Sequence, residues 1–305
     1  MEKAIAQRAM GDMTVEQGEV TPGQMAPVSG RRGSSFANDV VKLVSGTTFA
    51  QALSLLAAPV LSRIYVPEDY GTATVFASII TVVGAIACLR LEQAIMLPER
   101  DADAFDLLVA ALLFTLVTSG LCLVFVLSAG KSFLRLLNAP EVEPYLLLVP
   151  LAVLVKGGFL ALTSWNSRKK RFGLLSVSQV VQTASINGLE LGVGVAGFAQ
   201  AGGLIWSRVL GSIVGPMILG GRTWRADGRM LRQGVSWHGM VAGISRYRKF
   251  PLYSTGSALL NSISWQLPTF LLSSFFTSAV VGWYALGTRV LRLPMSLIIP
   301  IGLPL

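Results

Sequence analysis

Charged residues are scarce in this sequence. They make up 13% of the 305 residues, whereas soluble domains carry about 25%. Hydrophobic residues reach 52% and the mean hydropathy is +0.62. The apolar residues form repeated stretches of about 20, the length that crosses a hydrocarbon layer as a helix. This composition excludes a water-soluble domain and predicts an all-α fold, a polytopic bundle of transmembrane helices.

Residues that bind metals or start covalent chemistry are also few. The two cysteines, Cys88 and Cys122, lie in apolar stretches, and His238 is the single histidine. They are too few and too dispersed for a disulfide framework or a zinc site. With neither a phosphate-binding P-loop nor a paired acidic motif, the sequence gives no support to an ATPase or a glycosidase. We therefore expect a protein that is not an enzyme and needs no cofactor or metal.

Eight spans are predicted from the apolar stretches. They cover residues 43–64, 71–96, 105–129, 144–164, 174–198, 203–221, 253–276 and 280–303. The polar start lacks the apolar core of a cleavable signal peptide, so we expect the first span to act as an uncleaved insertion signal. The predicted domains are a disordered cytoplasmic tail, a six-helix bundle, a basic cytoplasmic loop and the first two helices of an incomplete second bundle, at 1–38, 39–221, 222–252 and 253–305.

The basic residues behind the net charge of +9 are unevenly distributed along the chain. If the N-terminus is cytoplasmic, the inside segments hold seventeen Lys and Arg residues, and the outside loops hold only Lys131 and Arg135. Short cytoplasmic loops are the ones enriched in Lys and Arg. The distribution predicts a cytoplasmic N-terminus and explains the positive charge without nucleic-acid binding.

One internal repeat is visible. The segment 62–65, which precedes Gly71 by a few residues, corresponds to 273–276, which precedes Gly282, and both pairs are 211 residues apart. Each copy ends one span and begins the next. The repeat predicts that six helices form one unit and that the seventh starts a second, incomplete one.

Ionisable residues inside the spans are candidates for function, because each costs a few kcal/mol to insert unless it faces water or a partner. Lys156 and Arg289 lie near the predicted midplane, and Arg292 is one turn beyond Arg289. Glu190 and Arg208 lie at matching depths in consecutive spans. If these groups line one cavity, its interior is cationic and favours an anionic guest such as a diphosphate.

Structural alternatives remain open for most of these residues. Glu190 and Arg208 would also neutralise each other as a purely structural pair, and Arg292 would also extend to the inner interface. Neutral polar groups at mid-depth suit sugar hydroxyls, or else hydrogen bonds between helices. They are Gln51, Asn261, Ser264 and Gln266.

Four stretches carry a family resemblance. They read SGTTFAQALSLLAAPVLSRIYVPEDYGTATVFASI, CLRLEQAIMLPERDADAFDLL, SRKKRFGLLSVSQVVQTASINGLELGVG and RYRKFPLYSTGSALLNSISWQLPTFLLSSFFTSAVVGWYALGTRVLRLP. Together these stretches resemble the Wzx-type flippases, the polysaccharide or lipopolysaccharide biosynthesis proteins of the MOP exporter superfamily, over most of residues 40–305. Leu91 stands where the family motif usually has Tyr.

This resemblance implies two helical bundles around a central cationic cavity, with alternating access and no use of ATP. It implies that a polyprenyl-diphosphate-linked oligosaccharide moves from the cytoplasmic to the outer leaflet of the bacterial inner membrane, for O-antigen or exopolysaccharide synthesis. The implied partners are this lipid, the bilayer and other polysaccharide assembly proteins. Complete members have more spans than the eight predicted here, so we expect the first bundle and two helices of the second.

Two alternative functions make different demands on the sequence. A cation-coupled exporter of drugs or small molecules from the same superfamily needs membrane acids that titrate with the coupling ion, and Glu190 is the one deep acid. A membrane-embedded glycosyltransferase or polysaccharide polymerase needs large outer loops with acids or arginines, and the predicted outer loops are short.

Overall fold

The computed structural model describes residues 31–232, 237–248 and 250–298, and every element within these ranges is helical. The all-α prediction is confirmed. The long helices are α1 (Arg31–Ile64), α2 (Pro67–Gly84), α4 (Asp101–Leu136), α5 (Leu148–Arg168), α6 (Phe172–Val195), α7 (Ala201–Arg232), α9 (Thr255–Phe275) and α10 (Ser278–Ile298). The shorter elements are α3 (Leu91–Ala94), a 3₁₀ helix at Pro140–Tyr145, α8 (Trp237–Arg246) and a π-helical turn at Phe250–Ser254.

The chain divides into two units, Met1–Ala37 and Asn38–Leu305. Residues 1–30 of the predicted disordered tail lie outside the described residues. Residues 31–38, predicted to be disordered as well, are helical. The stretch 34–45 contains neither Gly nor Pro, so no strong helix breaker interrupts it. The remaining description concerns the second unit.

Three of the long helices end in the same way. The residue after the C-cap adopts a left-handed conformation at Asn138, Lys170 and Gly197, with φ of 49°, 54° and 89°. At the end of α4, the Ala139 amide donates to the Leu134 carbonyl at 3.1 Å, and equivalent bonds close α5 and α6. These Schellman ends satisfy carbonyls that have no partner within the helix.

The predicted second span, 71–96, is wrong as a continuous helix. Helix α2 ends at Gly84, turns occupy residues 85–90, and the one-turn helix α3 follows. Leu89 and Arg90 have φ of 49° and 59°, a left-handed conformation that ends an α-helix. Arg90 then pairs with Glu92 at 3.5 Å. The apolar run continues through the break, so hydropathy does not reveal it.

Helix α7 continues past the predicted end of the sixth span at 221, as far as Arg232. Asp227 anchors the extension: it accepts two hydrogen bonds from the Arg171 guanidinium, both at 2.8 Å, and one from the Trp165 indole at 2.9 Å. Most of the predicted loop 222–252 is therefore helical in the described residues, including α8. The many basic residues of this segment led to the prediction of a loop, but a long polar helix carries basic residues equally well.

The internal repeat is confirmed at the level of helix ends. Helices α1 and α9 end at residues 64 and 275, and α2 and α10 begin at 67 and 278, so both offsets equal 211. The two glycines of the repeat make reciprocal contacts. A Cβ on Gly71 would collide with the Ser278 carbonyl, and a Cβ on Gly282 would collide with the Pro67 carbonyl. Helices α2 and α10 thus cross backbone to backbone, related by an approximate two-fold axis.

The outer surface of the bundle is apolar. Three described helices are long and apolar enough to cross a membrane: Asp101–Leu136, Leu148–Arg168 and Ala201–Gly228. On α4, Leu116, Leu121, Val124 and Leu127 are each more than half exposed. A row of exposed aliphatic side chains along a long helix is suited to lipid rather than water. The chain is an all-helical membrane protein, and the crossing of all eight predicted spans stays a prediction.

Candidate functional site

A cavity of 560 Å³ lies among six helices of the bundle. Residues of α1, α2, α5, α6, α7 and α10 line it, and the lining includes four of the predicted site residues: Lys156, Glu190, Arg208 and Arg289. These residues are spread over more than 130 positions of sequence. The fold therefore brings together four ionisable side chains that were chosen from the sequence for their depth alone.

Lys156 enters the cavity from the middle of α5. It lies eight residues after Leu148, about 12 Å along the helix axis. Gly84 makes room for it, since a Cβ at Gly84 would lie 2.7 Å from the lysine Cδ. Within the described residues, Lys156 has no ion-pair or hydrogen-bond partner. Its ammonium group is an uncompensated positive charge on the cavity wall.

Glu190 and Arg208 form a short ion pair on the same wall. The Arg208 Nε donates to Glu190 Oε1 at 2.8 Å, and the glutamate side chain is only 3% exposed. The Tyr65 hydroxyl donates to the main-chain carbonyl of Glu190 at 2.8 Å and so fixes this part of α6 against the end of α1. The pair joins α6 to α7 and is nearly neutral in sum.

Arg289 reaches the cavity from α10. It lies eleven residues after Ser278, near the centre of its helix, and its guanidinium donates to the Ser54 carbonyl of α1 at 3.2 Å. The Ser54 hydroxyl in turn accepts a hydrogen bond from Asn187 of α6 at 3.1 Å. No salt bridge of Arg289 occurs in the described part of the chain. Its charge therefore adds to that of Lys156.

The electrostatic result is a cavity with an excess of positive charge. The lining contains three cations and one acid, and the acid is already paired with Arg208. Two positive charges then remain, Lys156 and Arg289. Because membrane helices surround the site, solvent screens these charges less than on a protein surface. Such a site attracts an anion with several acceptor oxygens.

A second cavity of 360 Å³ adjoins the first, and Arg208 and Arg289 line both. Its other polar walls come from hydroxyl and amide groups: Tyr70, Thr74, Gln266, Thr269, Tyr284 and Thr288. Gln266 is held in place by the Ser78 hydroxyl, which donates to its Oε1 at 2.9 Å. The second cavity is polar and contains no acid in its described lining.

Of the other predicted residues, Gln266 lines the smaller cavity, whereas Gln51, Asn261 and Ser264 line neither cavity. The side chains of Gln51, Asn261 and Ser264 are all exposed. Arg292 belongs to α10, but its side chain lies outside the described residues. The depth of Gln51, Asn261 and Ser264 along their helices did not determine which face they occupy.

Several cavity residues were not anticipated from the sequence. Asn187 and Gln182 of α6 line the larger cavity, and Tyr70 lines the smaller one. A Cβ on Gly215 would collide with Gln182. Asn187 and Gln182 were detectable as amides within an apolar span, while Tyr70 stands at a turn and carried no comparable signal.

The sequence of the chain matches one known protein family. Residues 60–301 match the family described as polysaccharide biosynthesis protein. Comparisons with curated proteins and with solved structures give no match. The family match covers every residue that lines the two cavities except Ser54, and every long helix except most of α1. The chain belongs to the polysaccharide biosynthesis protein family.

Proposed function

We propose that the protein is a Wzx-type flippase of the MOP exporter superfamily, which translocates a polyprenyl-diphosphate-linked oligosaccharide across the bacterial inner membrane. The observation that carries the proposal is the cationic cavity among membrane helices, with Lys156 and Arg289 as two charges that no acid neutralises. The family match supports a role in polysaccharide biosynthesis. A carrier for a lipid-linked sugar needs an anion site inside the membrane.

The diphosphate is the part of this lipid that the cavity recognises. It has several acceptor oxygens and more than one negative charge, which match the ammonium and the guanidinium that line the cavity. The Lys156 ammonium is a compact charge, whereas Arg289 presents a planar fork of donors. Because α5 and α10 each supply one cation, a bound diphosphate links the proposed first six-helix bundle to the first helices of the proposed second bundle.

The direction of transport follows from the proposed orientation. Seventeen basic residues in the proposed inside segments against two outside favour a cytoplasmic N-terminus. At the proposed cytoplasmic ends of α4 and α5, Arg168 and Lys169 pair with Asp101 at 3.2 Å and 2.5 Å. The lipid is loaded where it is made, at the cytoplasmic leaflet, and released at the outer leaflet for O-antigen or exopolysaccharide assembly.

The two alternatives are less well supported by the site. A cation-coupled exporter of small molecules needs an acid free to bind the coupling ion, and Glu190 is paired with Arg208. A polymerase or glycosyltransferase needs catalytic groups on its outer loops. In the described chain, the connections after α1 and α9 each span only two residues. We therefore propose transport without covalent chemistry, without a cofactor, and with other polysaccharide assembly proteins as partners.

The proposal is tested by neutralising the cavity cations in cells. Lys156→Gln and Arg289→Gln are each expressed in a strain that lacks its flippase, and surface polysaccharide is measured per molecule of membrane-inserted protein. Loss of one charge-assisted contact is worth about 1.5–3 kcal/mol, or roughly 10- to 150-fold in affinity. Both variants are expected to export less polysaccharide per molecule while protein levels stay near those of the wild type.

Matched variants separate charge in the cavity from charge in general. Lys156→Arg and Arg289→Lys keep the charge and are expected to be milder, though not silent. Lys131→Gln removes a cation whose side chain is 73% exposed and lies outside the cavity, and we expect normal export. Normal export per molecule in both cavity variants would remove Lys156 and Arg289 from the mechanism.

A further inference from the structure

Helix α7 carries exposed arginines where it leaves the apolar part of the bundle. Arg222 lies 21 residues after Ala201, the first residue of the helix, about 31 Å along the helix axis. The hydrocarbon layer of a membrane is about 30 Å thick, and the headgroup layer on each side adds roughly 5–7 Å. With the apolar part of α7 across the membrane, Arg222 and Arg225 therefore lie at the level of the lipid headgroups.

Buried contacts on one face fix the rotation of this part of α7. Thr223 and Asp227, one turn apart, are 6% and 8% exposed. Thr223 accepts a hydrogen bond from an amide of α5 at 3.0 Å, and Asp227 accepts two from the Arg171 guanidinium. Helical geometry places Arg222 and Arg225 about 150° around the axis from this buried face. Both arginines are exposed, so the packing of α7 holds them facing away from the bundle.

The described part of the chain does not neutralise these two arginines. Neither Arg222 nor Arg225 has an ion pair there. Asp227 is the single acid between residues 222 and 252, a stretch with seven basic residues, and its carboxylate already pairs with Arg171. A guanidinium presents a planar fork of donors that matches the oxygens of a phosphate. Arg222 and Arg225 are thus available to an anionic partner from outside the chain.

A tryptophan between the two arginines indicates that this partner is a membrane lipid. Trp224 is 69% exposed. Exposed tryptophan on membrane helices is enriched at the interface, where the ring contacts hydrocarbon and the indole N–H bonds to polar groups. Basic residues immediately beyond a membrane span attract anionic lipids. Two phosphate-binding cations and one amphipathic ring therefore lie within a single helical turn at headgroup level.

We infer that Arg222, Trp224 and Arg225 form a binding site for the headgroup of an anionic phospholipid, in the leaflet that the proposed orientation makes cytoplasmic. The lipid phosphate accepts hydrogen bonds from both guanidinium groups, and the Trp224 ring packs against the glycerol and the upper part of the acyl chains. The three residues line neither cavity, so this site is separate from the proposed substrate site and binds lipid whether or not the protein transports one.

The test compares two lipids with identical acyl chains on the purified full chain. The probes are phosphatidylglycerol, which is anionic, and phosphatidylcholine, which is zwitterionic, and their dissociation constants are measured by native mass spectrometry from detergent. We expect the wild type to prefer phosphatidylglycerol. A basic residue near the membrane surface contributes a factor of about five in affinity. Arg222→Gln/Arg225→Gln is therefore expected to weaken phosphatidylglycerol binding roughly 30-fold and to leave phosphatidylcholine binding nearly unchanged. Arg222→Lys/Arg225→Lys keeps the charge and is expected to lose less.

Arg100→Gln/Lys170→Gln is the matched control. It removes two exposed cations from the same proposed side of the membrane, but neither residue belongs to α7, and we expect the lipid preference to persist. Equal weakening in the two Gln pairs would show that net charge alone attracts the lipid and would overturn the site. An unchanged preference in Arg222→Gln/Arg225→Gln, or no preference in the wild type, would also overturn it and leave the arginines to an acidic protein segment.

The melting temperature without added lipid provides a second readout. Because Arg222 and Arg225 have no ion pair in the described chain, we expect Arg222→Gln/Arg225→Gln to melt at the temperature of the wild type. Added phosphatidylglycerol is expected to raise the melting temperature of the wild type more than that of this variant. A variant that melts lower than the wild type without lipid, and gains equally from it, would place the partner of the arginines within the protein and contradict the lipid site.

Discussion

The Glu190–Arg208 pair permits a prediction in which two neutralising substitutions have unequal effects. Arg208→Gln leaves the Glu190 carboxylate without its cation, and that side chain is only 3% exposed. Glu190→Gln leaves Arg208 with a neutral acceptor, and the arginine side chain is 28% exposed and lines both cavities. The uncompensated charge is therefore buried in the first variant and partly hydrated in the second.

The magnitudes follow from that difference. Removing one partner of a buried pair costs about 3–5 kcal/mol because a charge is left buried and alone. The adjoining cavity hydrates part of the site, so we expect Arg208→Gln to lie at the lower end, about 3 kcal/mol, and Glu190→Gln to cost about 1 kcal/mol. The double variant leaves no net charge, and we expect it to be more stable than Arg208→Gln alone.

The assay is reversible unfolding of the purified protein in mixed micelles, with the free energy of unfolding measured for wild type, both single variants and the double variant. The coupling energy of this double-mutant cycle reports the pair directly. If the two single variants lose equal stability and their losses add in the double variant, the Glu190 carboxylate is not a buried charge held by Arg208, and the electrostatic account of the cavity fails.

Two further predictions concern the repeat and the orientation. Gly71→Ala is expected to destabilise the protein by about 1–3 kcal/mol, because its Cβ meets the Ser278 carbonyl. Gly120→Ala, in open space on α4, is the control and is expected to be neutral or slightly stabilising. Equal melting temperatures of the two variants would contradict the close crossing of α2 and α10. On spheroplasts, an impermeant maleimide is expected to label Glu141→Cys and to leave Ala226→Cys unlabelled, both sites being exposed, and the reverse pattern would overturn the cytoplasmic N-terminus.

Helix positions were largely predictable because hydrophobic length is a property of the local sequence. Each of the eight predicted spans overlaps a long helix. The break after Gly84 was not predictable, since it depends on left-handed conformations at Leu89 and Arg90 within a run that stays apolar. Such turns are stabilised by contacts that form only when the helices pack.

For the candidate site, the sequence predicted how deep each residue lies in its helix, but not which face of the helix it occupies. Counting residues along a helix gives depth, and it identified Lys156 and Arg289 as central. Gln51 passed the same test but is exposed, although Ser54, one turn later on α1, lines the larger cavity. Which face a residue occupies depends on how the helices rotate against one another, and a single sequence without strong amphipathic pattern does not specify that rotation.

The central claim is that the cationic cavity carries the diphosphate of a lipid-linked oligosaccharide across the membrane. The most direct measurement is translocation in proteoliposomes that contain the purified protein and a lipid-linked oligosaccharide labelled on its sugar, with movement between leaflets followed by the accessibility of the label. The account predicts movement with the wild type, slower movement with Lys156→Gln and Arg289→Gln, and near-normal movement with Lys131→Gln. Equal rates in wild type and both cavity variants, or no movement above protein-free liposomes, would contradict it.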